Sequence, residues 1–154
     1  DECRNDCTKL ICKDPARIRF FDDRPDEFKL HALIEPEPNY DPSTTTVKIE
    51  LRNANGVVYE HTMLPGELAK QTSTSFKMRN SNARALGGMA YFQIIKRQRR
   101  ASSITFKTYG DLSAATLSRM TLTVTIGNEE FRADGDWKQL PNGWRLPLNL
   151  SRVP

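Results

Sequence analysis

One short run of basic residues is the feature of this sequence that points most directly to chemistry. Four of the five residues in Lys96-Arg97-Gln98-Arg99-Arg100 carry a positive charge. Such a local field can attract phosphate, sulfate or an anionic glycan. Three interpretations of this basic patch (Lys96, Arg97, Arg99 and Arg100) stay open: a site for a polyanion, a contact with an acidic patch on another copy, and the solvated tip of a hairpin.

Three cysteines lie within the first dozen residues, at Cys3, Cys7 and Cys12. Because they cluster in a polar segment, they indicate disulfide chemistry in an oxidising compartment. One bridge among three cysteines leaves a spare thiol, which either links two copies of the chain or stays reduced, and the alternative is that all three thiols stay free. The spacing lacks the paired cysteines of zinc sites, so we expect no metal there. The chain begins at Asp1 without a methionine, as a secreted protein does after removal of its signal peptide.

Signatures of catalysis are nearly absent from the sequence, although its many Asp and Glu residues leave catalysis by two carboxylates open. The two histidines, His31 and His61, fall in alternating apolar segments, where each is interpreted as an ordinary strand residue. No nucleophile elbow, metalloprotease motif, Walker loop or dinucleotide fingerprint occurs. Acidic stretches such as Asp134-Gly135-Asp136 suit calcium chemically, but they lack the full calcium-binding loop and are typical of turns. We therefore predict a protein that is not an enzyme and that uses no cofactor or metal.

Composition limits the class of protein further. The chain has 154 residues, 38% of them hydrophobic, and its 23 basic and 19 acidic side chains give a net charge of +4. That length suits a single domain. No apolar run approaches the ~18 residues of a membrane span. So mild a positive charge does not indicate specific binding of nucleic acid.

Strand patterns run through most of the chain. Val47, Ile49 and Leu51 alternate with polar residues, and Asn55-Gly56 predicts a tight turn into a return strand over 57–63. Similar segments recur roughly every 8–14 residues, which predicts an all-β antiparallel sandwich, Ig-like or jelly-roll-like, of about eight to nine strands. We assign residues 17–154 to this single domain and residues 1–16 to an extended, cysteine-containing N-terminal segment.

The order of these elements resembles that of a β-sandwich module repeated in secreted, cysteine-containing proteins of delta-proteobacteria. The likeness extends over about residues 9–150 and rests on the following stretches: Lys9-Leu10-Ile11-Cys12-Lys13-Asp14, residues 17–21, Asp41-Pro42, Leu64-Pro65, Phe76-Lys77-Met78 and Val124-Thr125-Ile126-Gly127. The resemblance implies a surface or extracellular module without catalytic residues. The sequence departs from many such modules because it has no cysteine late in the chain.

The expected function follows from the edges of an open sandwich, where strands expose unpaired backbone groups. A short leading strand from a neighbouring copy, over residues 8–12 or 17–21, would complete such an edge. A repeated contact of this kind builds a filament. We therefore expect a self-assembling subunit of an extracellular filament or cell-surface layer. The candidate subunit-interface residues are Leu10, Ile11, Ile18, Phe20 and Phe21.

A binding module is the alternative function. In this interpretation the basic patch recognises an anionic surface glycan or another polymer, with Trp137 or Trp144 as a stacking surface. The two tryptophans flank an Asn142-Gly143 turn. The partners expected from the sequence are thus further copies of the chain or an anionic glycan.

Overall fold

The computed structural model describes residues 10–97 and 101–147. These residues form thirteen strands and one short helix. In chain order the elements are β1 (Ile11–Cys12), β2 (Ala16–Arg19), β3 (Asp26–Ile34), β4 (Val47–Asn53), β5 (Gly56–Met63), β6 (Ala69–Lys70), β7 (Ser75–Arg79), α1 (Ala83–Leu86), β8 (Gly88–Ile95), β9 (Ser102–Gly110), β10 (Arg119–Ile126), β11 (Glu129–Asp136), β12 (Lys138–Leu140) and β13 (Gly143–Leu146). This helix is too short to span a membrane, and the described residues contain no long apolar helix.

The strands form two antiparallel sheets, which confirms the predicted all-β sandwich. The larger sheet has the order β12-β13-β2-β3-β9-β8-β7-β6, and β1 also pairs with β3. The smaller sheet has the order β11-β10-β4-β5. The strands outnumber the eight or nine predicted because β1, β6, β12 and β13 have only two to four residues each. Such short segments leave too little alternation for a sequence pattern to reveal.

The hairpin of β4 and β5 confirms the most local prediction. Val47, Ile49 and Leu51 are fully buried, and Gly56 adopts a positive φ of 129° at the turn. The register shifts between Leu51 and Arg52, as in a β-bulge. This shift turns Val57 outward, and its exposed fraction is 41%. Without the shift, Val57 would lie on the inward face of β5.

The core lies between the two sheets and is centred on aromatic rings. The rings of Phe28 and Phe106 meet edge to face with their centroids 5.2 Å apart, and Phe92 stacks on Phe106 at 6.0 Å. Burying one such ring contributes about 1.5–3 kcal/mol. The hydroxyl groups of Tyr59 on β5 and Thr108 on β9 form a hydrogen bond that joins the sheets. Residues 35–46, with three prolines, carry the chain from the large sheet to the small one.

The first described residues fold onto the body of their own chain. β1 and β2 lie end to end along the same side of β3, and the Leu10 amide donates to the carbonyl oxygen of Arg132 on β11 at 2.9 Å. The segment therefore contacts both sheets. The extended N-terminal segment of the prediction continues into residues 1–9, which lie outside the described residues.

The predicted subunit-interface residues occupy different environments. Leu10 and Ile18 are 3% and 0% exposed, because β1 and β2 bury them in the core of the same chain. They are therefore core residues and not an exposed interface. Phe20 and Phe21 are partly buried, and Arg24 lies 3.9 Å over the ring of Phe21. Ile11 remains exposed, at 36%.

Candidate functional site

A row of basic side chains crosses the outer face of the large sheet. Residues directly opposite each other in antiparallel strands share a face, and the registers of seven strands align one residue from each. We call this set the cationic row: Lys138, Arg145, Arg17, Lys29, Lys107, Tyr91 and Arg79. Six of its seven members are basic. With about 4.8 Å between neighbouring strands, the row extends over about 29 Å.

Alternation along each strand places these residues on the side away from the core. Ile18 and Trp144, which neighbour Arg17 and Arg145 in their strands, are buried. On β3, Phe28 and Leu30 point inward on either side of Lys29. The basic residues are half-buried or exposed, as expected for long side chains that keep their charges in water.

The cationic row differs from the small sheet in its salt bridges among the described residues. No ion pair within 4.0 Å involves a member of the row in the described part of the chain. The outer face of the small sheet differs, because Lys48 pairs with Glu50 and Glu60, and Arg132 pairs with Glu130. The large sheet therefore presents a positive field, whereas the small sheet neutralises its own charges.

A cavity of about 760 Å³ opens at the Arg79 end of the row. Its floor is the outer face of β3, β9 and β8, with Lys29, Lys107 and Tyr91 among the lining residues. The connection from β7 to α1 forms one wall and brings Arg84 to the cavity. The stretch between β1 and β2 forms the other wall, which includes Asp14. Most of the charged lining groups are thus basic.

Tyr91 positions basic groups beside the cavity. The Arg79 guanidinium carbon lies 5.2 Å from the centre of its ring, and Lys77 Nζ lies 5.4 Å from it. The Tyr91 hydroxyl donates to Gln93 Oε1 on the same strand, which fixes the orientation of the ring. Cations over an aromatic face are attracted by its quadrupole. Arg79 therefore reaches the cavity in a restrained geometry.

Asp14 and His31 form a charged or polar pair on the opposite wall. Asp14 Oδ2 lies 2.7 Å from His31 Nδ1, and the backbone amides of Lys13 and Asp14 both approach the His31 carbonyl oxygen, at 2.8 and 3.5 Å. These bonds form where the chain bulges between β1 and β2. His31 faces outward from β3, as its alternation predicts, and 38% of its side chain is exposed. Asp14 was not singled out by the sequence.

Tyr109, one of the residues that line the cavity, makes a buried hydrogen bond. The Tyr109 hydroxyl donates to Glu27 Oε2 at 3.1 Å, and both residues are buried although they lie on the outer face of the sheet. Burial, and secondarily the negative charge of Glu27, raises the pKa of Tyr109. The phenol therefore stays protonated at neutral pH and donates this hydrogen bond.

Lys96 and Arg97, the two members of the basic patch that the structure describes, do not line this cavity. Lys96 Nζ donates to the Tyr40 carbonyl oxygen at 2.9 Å and lies 4.7 Å from the centre of the Tyr40 ring. This lysine therefore anchors a loop of its own chain. Arg97 is exposed, while Arg99 and Arg100 lie outside the described residues.

The two tryptophans are not surface residues. Trp137 is 3% and Trp144 5% exposed. Trp137 packs edge to face on Phe28 with ring centroids 6.2 Å apart, and Trp144 Nε1 donates to the Ala115 carbonyl oxygen at 2.7 Å. A role for either residue as a carbohydrate platform is thus corrected, because both rings fill the core.

Of the three cysteines, only Cys12 falls within the described residues. It lies on β1, opposite Ala32 on β3, and is partly buried against the core. Cys3 and Cys7 lie outside the described residues, so the disulfide arrangement stays a prediction.

No family model matches the chain, and no curated protein or solved structure matches it. The resemblance to secreted β-sandwich modules therefore stays a prediction. The geometry of the outer face of the large sheet carries the functional argument.

Proposed function

We propose that the chain is a binding module for an anionic polysaccharide, and that the cationic row is the surface that binds it. The observation that carries this proposal is the alignment across seven strands of six basic residues that form no ion pair with a described carboxylate. A linear polyanion laid along the row meets a positive charge at nearly every strand. The rigid sheet holds these charges in place before the ligand arrives, which reduces the entropic cost of binding.

A polysaccharide suits this face better than a nucleic acid does. Single-stranded nucleic acids bind where bases stack on open aromatic side chains. Here Trp137, Trp144 and Tyr109 are buried, and the ring of Tyr91 already carries two cations. The row therefore offers charge and hydrogen-bond donors but little surface for stacking.

The proposal includes a non-catalytic role outside the cell. The extracellular location rests on the cysteines of the segment 1–16 and on the resemblance to secreted modules. Carboxylated and sulfated polysaccharides at a cell surface are ligands of the required charge.

Neutralising the row tests the proposal. The triple variant Arg17→Gln, Lys29→Gln, Lys107→Gln removes three central charges from the row. Its matched control, Lys48→Gln, Arg52→Gln, Arg132→Gln, removes three charges from the outer face of the small sheet. At about 0.5 kcal/mol for each exposed charge contact, the row variant is expected to bind polygalacturonate about tenfold more weakly in calorimetry at low salt. The control should retain its affinity.

Two results would contradict this function. Equal losses in both triple variants would show that net charge alone attracts the polymer. A wild-type protein that binds no anionic polysaccharide would exclude the proposal altogether.

A third variant, Arg97→Gln, Arg99→Gln, Arg100→Gln, tests the basic patch, and we expect it to bind as the wild type does.

Self-assembly is a second candidate, favoured by the free edge of the small sheet. Among the described residues, the eight-residue strand β5 pairs with β4 on one side and with no strand on the other. A strand from another copy would complete this edge. Sedimentation over rising concentration under oxidising conditions tests it: assembly should be lost in Val57→Lys, which adds a charge to the edge. A wild-type protein that stays monomeric would exclude it.

A further inference from the structure

We infer that the cavity at the Arg79 end of the cationic row is a subsite for a single acidic sugar unit, and that Asp14 recognises the hydroxyl groups of that unit. This inference rests on the proposed function, since it names the part of the ligand that the cavity holds. The cavity volume of about 760 Å³ lies in the usual range for small-ligand sites, roughly 300–1,000 Å³. It therefore has room for one sugar unit with its substituents but not for a long polymer segment.

The basic groups of the cavity suit the anionic substituent of such a sugar. Lys29 and Lys107 lie on its floor, and Arg79 and Arg84 lie on the wall formed by β7 and α1. A guanidinium can bind a carboxylate or sulfate through two parallel hydrogen bonds. Because Tyr91 restrains Arg79, less side-chain entropy is lost when the anion binds.

Asp14 supplies the opposite chemistry within the same cavity. It is the single carboxylate among the lining residues that the structure describes, and 70% of its side chain is exposed. His31 holds Oδ2, whereas Oδ1 makes no hydrogen bond within the described part of the chain. An ionised carboxylate oxygen only accepts hydrogen bonds, so Oδ1 can pair with a ligand group that donates.

The combination of four basic groups and one carboxylate distinguishes between classes of anion. Polyphosphate has charge but no hydroxyl donors, so Asp14 would repel it. An acidic sugar has both, since its hydroxyl groups donate to Asp14 while its charged group lies among the basic side chains. Neutral partners for further hydroxyl groups are available on Asn80, Ser81 and Thr105, which also line the cavity.

Calorimetry with three probes and the variant Asp14→Asn tests the inference. The probes are a short oligogalacturonide, a sulfated oligosaccharide of the same length, and inorganic polyphosphate of equal charge. One of the two oligosaccharides carries the anionic group that fits the cavity. Loss of a charged hydrogen-bond acceptor should lower the affinity for that oligosaccharide by about tenfold. The same substitution removes a repulsive charge, so polyphosphate should bind about two- to threefold more tightly. The sulfated and carboxylated arms identify the anionic substituent.

The control is Asp134→Asn, which removes an exposed carboxylate from the outer face of the small sheet. It should leave the affinities for all three probes unchanged. If Asp14→Asn raises the affinity for every probe, Asp14 acts only through its negative charge and the inference is wrong. It is also wrong if no affinity changes. In either case the proposed function stands, provided that the wild type binds long polysaccharides and the triple variant of the cationic row binds them more weakly. If the wild type binds no anionic polysaccharide, the proposed function fails first.

Discussion

Lys96 Nζ donates a hydrogen bond to the carbonyl oxygen of Tyr40 at 2.9 Å and lies 4.7 Å from the centre of the same residue's ring. The Lys96 amide also donates to the Thr74 carbonyl oxygen at 2.7 Å, and the Tyr40 hydroxyl donates to Ser102 at 3.0 Å. One lysine thus joins the proline-containing loop to the ends of β7 and β8. A residue that the sequence marks as a binding site has a structural role here.

Replacing this lysine should therefore affect stability and not binding. Lys96→Met keeps the apolar stem but removes the hydrogen bond and the cation over the ring, which should lower the free energy of unfolding by about 1–2 kcal/mol. Urea denaturation measures this loss, and Arg97→Gln, at an exposed position, is the matched control. A stable Lys96→Met protein with weakened polysaccharide binding would contradict the structural role.

The buried phenol of Tyr40 should make the fold sensitive to alkali. Burial, and secondarily the charge of Glu129, raises the pKa of Tyr40 from 10.0 to about 12, although the hydrogen bond with Ser102 acts in the opposite direction. Between these pH values the unfolded chain releases the proton and the folded chain keeps it. Stability is therefore complete below pH 10.0 and decreases as the pH rises towards about 12, by about 2–3 kcal/mol in total.

The variant Tyr40→Phe isolates this contribution. It should be less stable than the wild type near pH 7 by about 1 kcal/mol, because Ser102 loses a partner, yet its stability should fall less between pH 10 and 12. Denaturation at a series of pH values measures both effects. Parallel pH profiles for the two proteins would show that Tyr40 titrates normally.

Close packing of β13 against β2 should make Gly143 irreplaceable. A Cβ atom at this position would lie 1.8 Å from the Ile18 carbonyl oxygen, a backbone atom that cannot move independently. Gly143→Ala should thus cost more than about 3 kcal/mol, above the usual range for overpacking. At Gly135 the nearest atom, 2.4 Å away, is the end of the Leu146 side chain, which can rotate. Gly135→Ala should be milder, and equal melting temperatures for the two variants would contradict the argument.

Local features of this fold could be predicted from the sequence, because short-range patterns carry them. The strand over 47–51 and the turn at Asn55-Gly56 depend on residues next to each other, and the structure confirms both. The bulge at Leu51 and Arg52 could not be predicted, because it reflects how β5 packs on β4.

The candidate site could not be predicted, because it depends on the order of strands. Arg17, Lys107 and Arg145 are far apart in the chain and become neighbours across the sheet only through the pairing of β13, β2, β3 and β9. A sequence shows which residues of a strand point outward, but not which strand lies beside it. Local charge density therefore favoured Lys96 and Arg97, whereas the cationic row is dispersed along the sequence.

His61 should make the fold lose stability in mild acid. It lies on the core side of β5, opposite Ile49, and burial lowers the pKa of its imidazole, while the charge of Glu67 offsets part of this effect. The unfolded chain then takes up a proton at a higher pH than the folded chain does. The stability that this residue contributes is therefore complete above the unfolded chain's pKa of 6.5 and decreases as the pH falls below it.

NMR titration should show His61 protonating below pH 6.5, with the signal assigned by its loss in His61→Gln. Removing the imidazole should also flatten the decrease in unfolding free energy between pH 6.5 and the lower pKa, compared with the wild type. An imidazole that protonates above 6.5 would show instead that Glu67, and not burial, dominates its surroundings.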